Sequence, residues 1–445
     1  MEQPRQFHHT LLMVLICILP LFLFFVLALN GVEISPLFLF LFVIICCGVM
    51  FYFMQGAPIH QEVEEMEEAE EGSTSNTTFV GRAEDIFRSR SQHRIKGNVI
   101  IEGKLMVDPD TAYKGLRERF ENTDNTPLLQ EDDAGKPIVV LAPKVSPPTE
   151  EKVRSPWLNI VLFGLTLMTT TWAGAAHQGV NLWSQPEKFE VGLPYALALM
   201  LILGAHELGH YFAARAHSMR VTLPYFIPVP FALGTFGAFI QLKTPAENRR
   251  ALFDVGITGP LAGLVFAIPA LLIGLQSSTI VPGSDSVSMM QGGASIGSSV
   301  LFALIAKLSL GTAVAAGHQV ILHPLAFAGW LGLLVTALNL LPIGQLDGGH
   351  IAHALFGRKN SKTIGMVALF SLFLLGLFVW SGLLTWAIIV FFIAGTKSAS
   401  PLNDVSKLDP NRVAIGAFAF ILLFLILIPV PHSFYQSLGI HCPYV

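Results

Sequence analysis

The chain has 445 residues, of which 52% are hydrophobic and 13% charged; its mean hydropathy is +0.59 and its net charge −4. A soluble domain carries about 25% charged residues, so a single water-soluble globule is excluded and a polytopic α-helical membrane protein is expected. The charge balance offers no basic surface for nucleic acid. Cys17, Cys46 and Cys47 lie inside apolar runs and Cys442 stands alone, so neither a disulfide framework nor a Cys-x-x-Cys metal site is expected.

Taken in chain order, nine apolar runs are expected to span the bilayer: 11–30, 36–54, 157–174, 193–216, 252–275, 325–343, 363–380, 382–396 and 413–430. The first has the length of a signal peptide. A second begins at Pro36 without a small-x-small cleavage site between them, so residues 1–54 read as a retained transmembrane hairpin. The piece "SSVLFALIAKLSLG" (298–311) is short and contains Lys307, which suits an interfacial or re-entrant segment. Residues 55–97, with the acidic run "EVEEMEEAEE", read as a flexible cytoplasmic linker.

Residues 98–156 read as a small α+β module. "NVIIEGKLMV" and "KPIVVLAP" have strand character, "DPDTAYKGLRERFE" has helical spacing with Asp110 as N-cap, and "DDAGK" is a turn. Residues 157–396 then form the main membrane domain, with its core at 193–350, and 397–445 a last helix and tail. Lys and Arg concentrate in 55–156, 215–250, 357–362 and 397–412. The positive-inside rule puts these in the cytoplasm, together with the N-terminus, most simply in a bacterial-type cytoplasmic membrane.

The run that starts at Leu193 contains HELGH at 206–210. Ionisable side chains in a membrane helix are costly without a partner. Residues four apart share a helix face, so His206 and His210 can donate to one ion, with Glu207 placed to take a proton from a water on it. This is the HExxH arrangement of zinc peptidases, and a third protein ligand is required. Few acids lie in or beside the later spans. Asp254 begins one, and Asp347 follows another in "LVTALNLLPIGQLDGGH", where Pro342 and three glycines break the helix. Asp347 has the better context and Asp254 is the reserve.

With both motifs in hand, the chain resembles the site-2 protease family of intramembrane zinc metalloproteases. The family's second motif, LNxxPxxxxDG, stands here as Leu338, Asn339, Pro342, Asp347 and Gly348. The flanking loops look closest to its chloroplast and cyanobacterial branch, which lacks a PDZ domain; the 276–324 gap is too short for one. The resemblance implies one zinc held by His206, His210 and Asp347, Glu207 as catalytic base, and Asn339 as a holder of the substrate backbone. Its substrates would be single-span membrane proteins in the lipid bilayer, cut near the cytoplasmic side. In "TGPLAGL" (258–264) only close helix packing is expected. The oligomeric state is not legible.

The stretch 221–243 has three prolines within seven residues, so a spanning helix is not expected there. It reads as a re-entrant β-like loop beside the site. A peptide bond inside a helix must be unwound before it can be cut, and a strand edge carrying Gly237, Phe239 and Ile240 is the candidate surface to pair with it. The rival readings are a transporter, which needs no HExxH and should show repeats, a catalytically inactive homologue, which Glu207 argues against, and a membrane-anchored peptidase for soluble peptides.

Overall fold

The computed structural model describes residues 83–95, 97–132, 134–144, 156–230, 233–282, 299–311, 318–378, 381–393 and 400–428. The first two expected spans, the acidic run, the four cysteines and the C-terminal tail lie outside the described residues.

A four-stranded antiparallel sheet precedes the helices. It consists of β1 (Phe87–Ile95), β2 (Asn98–Leu105), β3 (Asn125–Glu131) and β4 (Pro137–Pro143) in the order β1-β2-β4-β3. Helix α1 (Pro109–Phe120) lays Ala112, Tyr113, Leu116 and Phe120 against Ile101, Leu129 and Val139. The expected strands, helix and DDAGK turn are present. Two strands were not legible: β1, inside the stretch read as linker, because "FRSRSQHRI" is too polar to alternate cleanly; and β3, because it begins at a polar Asn-Thr-Pro. The N-cap also differs. Asp108 accepts from Thr111 N at 3.0 Å, since Pro109 takes the first helical position. Asp110 is left to bind Ser406 Oγ at 2.6 Å and Arg250 at 3.2 Å.

Five helices among the described residues are long and apolar enough to cross a membrane. These are α2 (Trp157–His177), α3 (Leu193–Ala216), α4 (Arg249–Gln276), α7 (Asp347–Phe378) and α9 (Pro410–Leu427). Two shorter apolar helices, α5 (Val300–Leu310) and α6 (Pro324–Leu340), lie between α4 and α7, and α8 (Ser381–Ile393) follows α7. Two boundaries beside the Pro342 break differ from the sequence reading. α6 stops at Leu340 because Pro342 cannot continue it. α7 begins at Asp347 rather than near 363, and is interrupted at Gly357 (φ 79°, ψ 169°), a conformation that favours glycine.

α3, α4 and α6 make the central packing unit, with Ile202, Ile257, Leu264, Ala267, Leu333 and Ala337 in its core. The stretch after α3 is not helical. It forms an antiparallel hairpin, β5 (Tyr225–Pro228) with β6 (Thr235–Phe239), extended by a bridge between Val221 and Leu242. A second hairpin pairs β7 (Thr279–Pro282) with β8 (His318–Ile321) ahead of α6.

Candidate metal centre

α3 is an apolar helix whose HELGH segment turns inward. His206, Glu207 and His210 are each under 8% exposed. One turn of helix brings the two imidazoles together with ring centroids 4.8 Å apart. Asp347, the first residue of α7, reaches both: its Oδ2 lies 3.3 Å from His206 Nε2 and 3.3 Å from His210 Nε2. These three residues offer one ligand atom each within 4.8 Å of one another. Two bonds of zinc length meeting at the tetrahedral angle span about 3.3 Å, so the separations suit ligands around one ion. They are long for direct hydrogen bonds.

The candidate ligands are held from behind. His210 Nδ1 donates to the Val255 carbonyl at 2.7 Å, which directs its Nε2 lone pair at the triad. Asn339, on the last turn of α6, places its amide nitrogen 3.3 Å from His206 Nε2, and so borders the face that a metal would occupy. Glu207 lies on the same helix, and the backbone N–H of Ile240 reaches it from just past β6.

α4 supplies what the sequence reading did not assign. A β-carbon on Gly259 would stand 2.1 Å from His210 Nε2, one on Gly263 3.4 Å from His206 Nδ1, and one on Gly256 3.2 Å from the Asp347 carbonyl. The face of α4 that carries them is thus the floor of the site. The visible signal was the small residues of "TGPLAGL" (258–264), read only as close packing, and Gly256 was not singled out. Thr258 Oγ1 adds a hydrogen bond to the Gly209 carbonyl at 3.1 Å.

The reserve ligand is placed elsewhere. Asp254 binds Arg412 at 2.7 and 2.6 Å and His217 at 2.8 Å, tying the ends of α4, α9 and α3 together. His350 packs its β-carbon where α4 is bare at Gly256. On the hairpin, the Gly237 N–H is taken by Thr235 Oγ1 at 3.0 Å, and Phe239 pairs with Tyr225. Of the three residues expected at the substrate edge, Ile240 has its backbone near Glu207. An apolar cavity of about 730 Å³ among α6, α7, α8 and α9 reaches the loop before Asp347 only at Leu341 and Pro342, and none of the candidate ligands lines it.

Residues 194–379 match peptidase family M50, the site-2 protease family, and this segment contains α3, α4, α6 and all three candidate ligands. The chain is also similar to proteins named as chloroplastic zinc metalloproteases. It is 31% identical over 358 residues to a protein of Arabidopsis thaliana named probable zinc metalloprotease EGY2, chloroplastic, a match covering 79% of this chain and 63% of that one. It is 31% identical to the Oryza sativa subsp. japonica EGY2, covering 79% and 65%. It is 32% identical to the Arabidopsis protein named EGY1, covering 68% and 58%. The chain thus spans just under two thirds of the length of these curated relatives. No solved structure matches.

Proposed function

We propose that the chain is an intramembrane zinc metalloendopeptidase that cuts single-span membrane proteins within their membrane segment, near the cytoplasmic face. The observation that supports this most is the buried His206–His210–Asp347 triad beside Glu207, set into helices apolar enough to cross a bilayer. A two-histidine, one-carboxylate set at tetrahedral spacing fits zinc, the metal in the relatives' names. Zinc held there supplies Lewis acidity, polarising the scissile carbonyl and lowering the pKa of a water.

The remaining roles fall to the protein. Glu207 takes a proton from the attacking water and returns it to the departing amine nitrogen, so that water is divided between the new carboxyl and amino ends. Burial of the triad excludes bulk water. Asn339 borders the site from α6, where it can hold the substrate backbone, and the β5–β6 hairpin offers a free edge to a chain that has been unwound.

The basic segments place the sheet module and the cytoplasmic end of α3 on the same side. A bacterial-type cytoplasmic membrane is the proposed setting, and the chloroplastic names of the relatives make a plastid membrane its rival; fractionation of native membranes separates the two. The test of activity is reconstitution of the full chain in proteoliposomes with tagged single-span proteins. Zinc-dependent cleavage inside the membrane segment is expected. Cleavage confined to soluble peptides would replace this reading with that of an anchored peptidase.

A further inference from the structure

Asp404 is fully buried, although it lies in the loop between α8 and α9. Its carboxylate accepts from Arg249 Nε at 2.8 Å and from His353 Nε2 at 3.0 Å on each oxygen. Arg249 is the first residue of α4, the helix whose Gly256, Gly259 and Gly263 form the floor of the metal site. His353 lies on α7, six residues after Asp347. One carboxylate therefore joins the two helices that meet at Gly256 and Asp347.

The segment carrying Asp404 is itself held between the sheet module and the membrane helices. Leu129 N donates to the Leu402 carbonyl at 2.9 Å and Asp404 N to the Leu129 carbonyl at 2.8 Å, adding a short parallel bridge to the β3 edge. On the other side, Leu402 N and Asn403 N donate to the carbonyls of Ala246 and Glu247, each at 2.9 Å. Arg249 Nη2 also reaches Glu131 of β3 at 3.2 Å.

We infer that Asp404 is a positioning residue for the metal centre, acting through His353 and Arg249, and that the sheet module of residues 83–144 holds it in place. Docking alone does not call for this arrangement. Leu402 and Val405 already pack into the module's apolar core, and exposed pairs such as Arg250–Asp110 span the same junction. Burying an ionised carboxylate is costly unless its partners are fixed. What the ionic set adds over apolar contact is direction: it fixes the Arg249 end of α4 against the second turn of α7. That sets the separation at which the Asp347 carboxylate meets the imidazoles of α3. The inference rests on the proposed metal site and gives the module a role that its own residues, which include none of the candidate ligands, do not reveal.

The test is metal affinity of the full chain by chelator competition, with the cobalt(II) absorption spectrum as a reporter of ligand geometry. His353→Leu is expected to weaken metal binding about tenfold and to change the cobalt spectrum. His353→Gln, whose amide can still donate to Asp404, keeps both near wild type. A packing role reverses that order, because leucine then serves at least as well as glutamine, and this result overturns the inference. Asp404→Asn occupies the same space and is expected to match His353→Leu, so the result does not depend on one variant folding. Arg250→Gln loosens the junction without touching Asp404 and leaves the affinity unchanged; an equal loss there would reduce the effect to docking and overturn the inference. A wild-type chain that binds no metal overturns both this inference and the peptidase reading. Metal bound equally by wild type, His353→Leu and Asp404→Asn overturns this inference alone.

Discussion

A β-carbon on Gly259 would stand 2.1 Å from Nε2 of His210, far inside van der Waals contact. The His210 ring is confined between this bare point on α4 and the Val255 carbonyl, one turn earlier on the same helix. Gly259→Ala therefore forces the imidazole out of its place. Zinc content is expected to fall to about a tenth of wild type. Gly204→Ala, whose β-carbon would meet only Phe226 at 3.8 Å, is the matched control and keeps its metal. Equal zinc in the two variants, by elemental analysis of purified protein, would show that the floor of the site is not where the structure puts it.

The ligand set is tested by separating two carboxylates. Wild-type protein should carry about one zinc per chain. His206→Ala and Asp347→Ala lose it, since each removes one of three ligands. Asp254→Asn keeps it, because Asp254 faces Arg412 and His217 instead. Zinc retained without Asp347 and lost without Asp254 would reverse the assignment.

Glu207→Gln retains shape and hydrogen-bonding capacity but cannot carry a proton. Zinc should remain bound while cleavage falls by about 10²–10⁴-fold. Wild-type turnover in this variant would remove Glu207 from proton transfer and require a different base.

The candidate ligands were legible because metal chemistry imposes spacing within a helix. His206, Glu207 and His210 can be read from four consecutive intervals, and Asp347 from the scarcity of acids near later spans. The second sphere of contacts was less so. Gly259 matters through what lies opposite it, which depends on how α3 and α4 cross, and a run of small residues announces close approach without naming the neighbour. Asp404 was invisible for a related reason. It sits in a short polar loop of ordinary composition, and its partners Arg249 and His353 lie 155 and 51 positions away in the chain. The edge strand β1 escaped notice because edge positions tolerate polar side chains on both faces.

The register of the hairpin, which the sequence left open, now divides two substitutions. Gln241 gives its N–H to Thr222 Oγ1 and its carbonyl to Thr222 N, so it faces the β5 side. Backbone groups alternate along a strand. Ile240 therefore turns the other way, toward Glu207, while Phe239 faces Tyr225. Ile240→Pro deletes the N–H near Glu207 and should reduce kcat with zinc intact, whereas Ile240→Ala keeps it and does less harm. Phe239→Pro acts on the hairpin itself, so its loss should track loss of stability. Equal activity of proline and alanine at position 240, measured in proteoliposomes, would make the hairpin a connector.

Burial alone would raise the carboxyl of Asp404, but His353 and Arg249 outweigh it and hold the group below the usual carboxylate range. The sign follows from linkage. A carboxyl with a depressed folded value stabilises fully above its unfolded value of about 3.9, and that contribution is lost as pH falls through the folded value. At pH 7, Asp404→Asn leaves Arg249 and His353 without their shared charge and should cost about 3–5 kcal/mol. The difference in melting temperature between wild type and Asp404→Asn should narrow once the pH drops below about 4. Both proteins are measured after metal removal, so that acid release of a ligated ion does not enter the comparison. Other carboxylates titrate over the same range but are common to the two chains and cancel in the difference. A gap unchanged at pH 3 would mean that Asp404 acts through its shape alone, and the buried ionic link between the sheet module and α7 would lose its charge-based explanation.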